Sequence, residues 1–375
     1  MKKIFSIIIL LTISFCILFT NTTNKAFAEG ESSAKAMIVL DSASKRILYS
    51  KCHQEKLPMA STTKIVTALT VLNNCANINK EIKIDNRAVG ISGTSIYLKK
   101  GESLTVKELL FGLMLSSGND AATALAYYVG GDIPNFCKMM EQTAISCGAV
   151  NSSFKNPHGL DEEDHYTTAE DLALITAKAL ENETFKEIVT TKSTRIKGSS
   201  EGSYRYLKNK NKLLSTLDGA IGVKTGFTNK AGRCLVSACE RNGFRLVCVV
   251  LNCGPMFEDS AELINKAYNQ YSNVELLPNY KIIRKIPVEN GKSDSVKVYT
   301  KKGFTYPLAK EECTMLDFKY NLPSYIEAPV KKDIEVGNLE IYLNNCLLFS
   351  EKIYTMNSID KIGVWSNIFD IISNW

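Results

Sequence analysis

The sequence predicts an α+β protein: an antiparallel sheet flanked by helices and a helical insert, then a small all-β domain and a C-terminal amphipathic helix. Three observations predict it. Strand-like runs stand at both ends of residues 29–275 with helical periodicity between them, so one sheet assembles late in the chain. After about Asn273 short strand-like segments alternate with Gly, Pro, Asn and Lys-rich turns, which marks 276–358 as β-rich. In 359–375, Ile362, Trp365, Phe369 and Ile372 share one helical face, opposite Asp360, Lys361, Asn367, Asp370 and Asn374.

Each element follows in order. Lys2 and Lys3 precede an apolar run from Ile4 to Phe19, and Ala26-Phe27-Ala28 ends a polar stretch. That pattern is a secretory signal peptide cleaved after Ala28; the run is short for a membrane span of ~20 residues. An exported protein at the outer face of the membrane or in the wall is expected. Ala36–Asp41 and Arg46–Ser50 form a hairpin, and a helix begins near Ser61 with an apolar stripe of Ile65, Ala68, Leu69 and Leu72. Helical spacing recurs over 104–115, 121–129, 136–145 and 169–180. Strands follow at 219–224, 233–240 and 244–252, then a helix at 260–271. Beyond them, Val296–Tyr299, Ile334–Val336 and Glu340–Leu343 are strands of the β-rich domain.

With 45% hydrophobic and 22% charged residues, the chain suits a globular protein of two or three domains. Cleavage after Ala28 removes Lys2, Lys3 and Lys25 and no acid, so the formal +6 becomes +3, too mild for a nucleic-acid binder. Ten cysteines remain. An even number outside the cell admits disulfides, but no tight spacing occurs and Cys234, Cys248 and Cys346 sit in apolar runs. Mostly free, buried thiols are expected. There is no C-x-x-C pair to suggest zinc.

The stretch PMASTTKIVTALTVL sets Ser61 three residues before Lys64, on one helix face. A serine needs a base to take its proton, and a lysine serves if burial and nearby cations lower its pKa. The same spacing recurs at Ser32/Lys35, Ser42/Lys45, Ser152/Lys155 and Ser358/Lys361, so alone it is weak. Two further stretches strengthen it. LMLSSGNDAATALA puts Ser117-Gly118-Asn119 between two helical runs, and GVKTGFTNKAG puts Lys224-Thr225-Gly226 at a strand end. S-x-x-K, S-x-N and K-T-G in this order are the combination known from penicillin-binding proteins and class A β-lactamases.

Residues 36–275 thus resemble the serine D-alanyl-D-alanine carboxypeptidases, the low-molecular-mass penicillin-binding proteins. LKKGESLTVKELLFGLMLSSGNDAATALA, NPHGLDEEDHYTTAEDLALI and LKNKNKLL add to the likeness. The resemblance implies a β-lactamase/DD-peptidase-like domain, a peptidoglycan stem peptide ending in D-Ala-D-Ala as substrate, β-lactams as inhibitors, and no metal or cofactor. It implies Ser61 as nucleophile, Lys64 as base and Ser117 as proton relay. Asn119, Lys224, Thr225 and Gly226 would bind substrate, and the backbone N–H groups of Ser61 and Phe227 would form the oxyanion hole.

The sequence departs from the family in two places. GPMFEDSAEL carries no basic residue where an arginine or lysine often helps bind the substrate carboxylate, and Glu141 stands where asparagine is usual. His158, Asp161, Glu162, Glu163, Asp164 and His165 could suggest a metal site. A turn before a helix capped by Thr167 or Thr168 is the better reading. A β-lactamase using Glu162 or Glu163 to hold water, and a penicillin sensor that acylates once, are the alternatives. The two tryptophans of 359–375 favour a membrane interface, although one Lys against two Asp gives little attraction to anionic lipid.

Overall fold

The computed structural model describes residues 32–363, and the chain divides into two units between Asn269 and Gln270. Segment 1–28, expected to be a signal peptide, lies outside the described residues.

The first unit opens with β1 (Ala36–Asp41) and β2 (Ile47–Lys51), paired antiparallel. A 3-10 turn (Ala60–Thr63) leads into α1 (Lys64–Asn74). A small pair, β3 (Glu81–Lys83) and β4 (Ser103–Thr105), precedes α2 (Val106–Met114), whose Thr105–Glu108 capping box fixes its start. Then come α3 (Asn119–Gly130), α4 (Ile133–Ser146), α5 (Ala169–Ala179) and α6 (Glu183–Thr190). A hairpin of β5 (Ser193–Lys197) and β6 (Tyr204–Lys208) follows, then the short α7 (Leu213–Thr216). β7 (Ala220–Thr228), β8 (Gly232–Arg241), β9 (Phe244–Leu251) and α8 (Met256–Gln270) complete the unit.

The main sheet has the order β2-β1-β9-β8-β7, antiparallel throughout. The chain's first hairpin therefore pairs with strands about 200 residues later, the late assembly that the sequence implied. β7 is left at an edge. Every residue of α1 from Lys64 to Val71 is buried, so this helix is the axis of the helical core rather than a one-sided surface helix. Val247, Val249 and Leu251 face that core, while the alternating Leu246, Cys248 and Val250 are buried on the other side of the sheet. α8 is tied to the sheet by Tyr268, whose hydroxyl donates to the carbonyls of Cys239 and Phe244.

The second unit holds β10 (Tyr271–Leu277), β11 (Ile282–Glu289), β12 (Ser295–Thr300), β13 (Phe304–Ala309), β14 (Leu316–Asn321), β15 (Ile326–Glu327), β16 (Glu335–Leu343) and β17 (Cys346–Thr355). Six of these form a sheet in the order β14-β16-β17-β12-β11-β15, and β10 pairs with β13. Ile286, Val296, Val298, Leu339, Ile341 and Ile353 build its core.

One sequence expectation is corrected here. Ile359 does not begin a helix: it is buried, bridges to Val330 in extended form, and Lys361 bridges to Gly291. Ile359 has an apolar core to enter, which outweighs the helical spacing beyond it. Residues 364–375 lie outside the described residues. All ten described cysteines are free; five are buried, and Cys52 and Cys313 are exposed.

Candidate active site

Ser61 sits in the 3-10 turn, not in the α-helix, one turn ahead of Lys64. The turn is shaped by Ala60, whose φ of 49° is left-handed, and by Thr62 and Thr63, whose hydroxyls donate to the carbonyls of Met59 and Ala60. Gly159 lies against this turn: a Cβ there would stand 1.9 Å from the Ala60 carbonyl oxygen. Gly226 of β7 closes it from the sheet side, since a Cβ at that position would meet the Ser61 nitrogen at 3.0 Å. The glycine of the K-T-G triplet thus lets β7 approach the Ser61 backbone, a use the sequence reading had given to the substrate.

Lys64 is fully buried. Its Nζ lies 3.0 Å from Ser61 Oγ, 2.7 Å from Asn119 Oδ1 and 2.6 Å from the His158 carbonyl oxygen. Burial, then Lys224 and Lys210, hold its pKa well below the ordinary lysine value, with Asp120 acting weakly the other way. A neutral amine has two hydrogens and one lone pair. Asn119 Oδ1 and the His158 carbonyl can only accept, so they take both hydrogens. The lone pair is then left for the Ser61 hydroxyl, which donates to it.

Asn119 opens α3, and its Nδ2 donates to the Ser92 carbonyl at 2.6 Å, which fixes the amide so that Oδ1 faces Lys64. Ser117 is buried with a left-handed φ of 64°, and its carbonyl accepts from Thr94 Oγ1. Asp120, buried beside them, accepts from Ser95 Oγ and from the Ile96 and Leu98 amides. It pins segment 95–98 to the start of α3.

Lys224 is buried beneath β7, and its Nζ donates to the Thr225 carbonyl at 2.9 Å. Burial, reinforced by Lys210, pushes it down to about 7. Ser61, Ser117, Asn119, Thr225, Gly226 and Phe227 line one cleft of about 380 Å³. Lys210 and Arg233 line it too, and sequence reasoning missed both. LKNKNKLL was noticed as a likeness without a role, and Arg233 entered only as the first residue of the strand at 233–240. No Asp or Glu is among the lining residues.

The acidic loop is held by hydrogen bonds of its own residues. The His165 ring accepts from the Lys155 amide at Nδ1 and so donates from Nε2 to Thr63, 3.0 Å away; burial pushes it down to about 4, keeping it neutral. Thr168 caps α5 by accepting from Asp171 N. Glu162 accepts from Asn156 Nδ2.

A serine hydroxyl set against a buried amine, at the edge of an antiparallel sheet, is an arrangement suited to serine acyl transfer. The comparisons make the class specific. Residues 21–254 match the D-alanyl-D-alanine carboxypeptidase family of peptidases (S11), and 271–361 match the penicillin-binding protein 5 C-terminal domain. The chain is 29% identical to D-alanyl-D-alanine carboxypeptidase DacF of Bacillus subtilis, covering 95% of this chain and 94% of that one. It is 28% identical to the Escherichia coli carboxypeptidase DacC over 90% and 87% of the two chains. Penicillin-binding protein 5 of Haemophilus influenzae superposes with a TM-score of 0.72 at 25% identity, covering 89% of this chain and all of that one.

The chain therefore belongs to the D-alanyl-D-alanine carboxypeptidase family. Its activity is the serine-dependent removal of a terminal D-alanine, and it is a penicillin-binding enzyme of the cell wall.

Proposed function

We propose that Ser61 is the nucleophile and Lys64 its base. Ser61 Oγ attacks the carbonyl carbon between the two D-alanines while its proton passes to Lys64 Nζ. Charge on the carbonyl oxygen is met by the N–H groups of Ser61 and Phe227, fixed dipoles of the kind worth about 3–4 kcal/mol of barrier each. The C–N bond breaks, a proton reaches the leaving amine through Ser117, and water releases the acyl group from Ser61. Asn119 holds Lys64 in place with its oxygen and keeps one N–H for the peptide; Lys224 and Thr225 face the terminal carboxylate.

The observation that carries this reading is the Lys64 amine 3.0 Å from Ser61 Oγ with both its hydrogens claimed elsewhere. The β-lactamase alternative needs a carboxylate to hold the deacylating water, and none lines the cleft among the described residues. The test is mass spectrometry of the exported chain with a penicillin, and separately with a peptide ending in D-Ala-D-Ala. A stable adduct on Ser61 together with released D-alanine is expected. In Ser61→Ala the adduct vanishes and kcat/KM falls about 10⁴-fold or more. Fast penicillin turnover without peptide cleavage would favour the lactamase, and an adduct with neither turnover the sensor.

We also infer that the end of the 359–375 segment, with Trp365, Phe369, Ile372 and Trp375, anchors the exported enzyme peripherally at the outer face of the cytoplasmic membrane. No helix among the described residues is long and apolar enough to span a membrane. The full chain should float with zwitterionic vesicles and a chain ending at Gly363 should not; equal behaviour rejects the anchor.

A further inference from the structure

The enzyme removes a residue that ends in a carboxylate, so the cleft must hold an anion beside β7. Lys224 is poorly suited to hold it alone. It is buried, its Nζ is engaged by the Thr225 carbonyl, and near neutral pH a substantial part of it is uncharged. The segment after β9 offers no replacement: it has no basic residue, and Met256 occupies the cleft wall there.

Arg233 lines the same cleft. It stands near the start of β8, directly across from Phe227. Alternate residues of a strand share a face, so Arg233, Phe227 and Thr225 lie on one face of the sheet. Diagonal neighbours across antiparallel strands are about 7–8 Å apart, within reach of an arginine. Among the described residues no carboxylate is paired with this guanidinium; Asp161, beside the cleft, accepts from Thr228 Oγ1 at 2.8 Å. An arginine remains charged at any working pH, and its planar donor set fits a carboxylate with two parallel bonds.

We propose that Arg233 is the specificity-determining anchor of the substrate's terminal carboxylate, gripping it with Thr225 at the open edge of β7. The assignment rests on the acyl-transfer site above. Arg233 replaces, from the neighbouring strand, the base missing after β9, and it makes the cleft select peptide acids over peptides whose C-terminus is uncharged.

The test compares an acyl-D-Ala-D-Ala peptide with the same peptide ending in D-alaninamide, using the whole chain, its Arg233→Gln variant and its Arg233→Lys variant. A lost charge-assisted pair costs about 1.5–3 kcal/mol, so Arg233→Gln should lose about 10–100-fold in kcat/KM on the acid and under about 3-fold on the amide. Arg233→Lys should fall between. Retained amide cleavage shows in the same experiment that the variant is folded. An unchanged acid-to-amide ratio in Arg233→Gln overturns the anchor, as does an equal loss on both peptides. A wild-type chain that releases no D-alanine from the acid would instead overturn the reading of the site itself.

Discussion

The two units of this chain treat charge in opposite ways. The peptidase unit buries Lys64 and Lys224 at 0% and 2% exposure, and among the described residues neither is paired with a carboxylate. Among the described residues of the β unit the buried polar residues are two threonines, Thr300 and Thr355, and ion pairs such as Lys352–Glu335 and Lys292–Asp360 lie at the surface. A buried cation without a counter-charge costs stability. Its presence therefore marks a place where chemistry, not folding, sets the residue. The described residues of the β unit contain no buried lysine of this kind.

The sharpest way to break this comparison is Lys224→Met. It should cut kcat/KM about 10²-fold or more while leaving stability no lower than wild type, since an apolar side chain suits the site. A large loss of stability would show that the buried amine holds the fold together. The pH dependence sharpens the point. Lys224 lies at about 7 when folded, against an ordinary lysine value near 10.4. Between those values the unfolded chain binds more protons, so this group's contribution is full above about 10.4 and is lost as the pH falls towards 7. Urea unfolding at pH 7 and pH 9.5 should show a wild-type gain at the higher pH that Lys224→Met lacks in part.

Gly159→Ala comes next. The added carbon meets the Ala60 carbonyl at 1.9 Å, on a backbone with φ of 89°, and should cost about 2–4 kcal/mol in urea unfolding and displace Ser61. An unaltered Cm would mean the turn carrying Ser61 yields easily. The smallest effect belongs to the β unit. Lys352→Ala removes an exposed pair to Glu335 and should change stability by less than about 0.5 kcal/mol. A loss several times larger would mean that this unit depends on its surface pairs.

Much of the site was legible because its groups are side chains in short motifs. The pairing of Ser61 with Lys64 was a weak signal by spacing, and Ser117, Asn119, Lys224, Thr225 and Gly226 came with the family resemblance; these residues lie together at one cleft and at the amines beneath it. What escaped was of two kinds. The His158 carbonyl acts through the backbone, which no residue identity announces. Arg233 is placed at the cleft by strand register and Asp120 by loop packing, which are long-range. The fold was read in the same measure. The late sheet follows from where the strand runs lie, but the β5–β6 hairpin was missed. Its outward residues Arg195, Lys197, Tyr204, Tyr206 and Lys208 leave only Ile196 and Leu207 as apolar signal. At Ile359, helical spacing was a weaker instruction than a vacant place in a β core.

The hold on Lys64 by the His158 carbonyl has a genetic consequence. A codon change at position 158 alters an imidazole, yet the oxygen that steadies the amine belongs to the main chain and survives it. Lys64 is thus shielded from point mutation at its nearest neighbour and exposed to it at Gly159, where the loop's path is decided. Heritable loss of function should gather at the glycine rather than at the histidine.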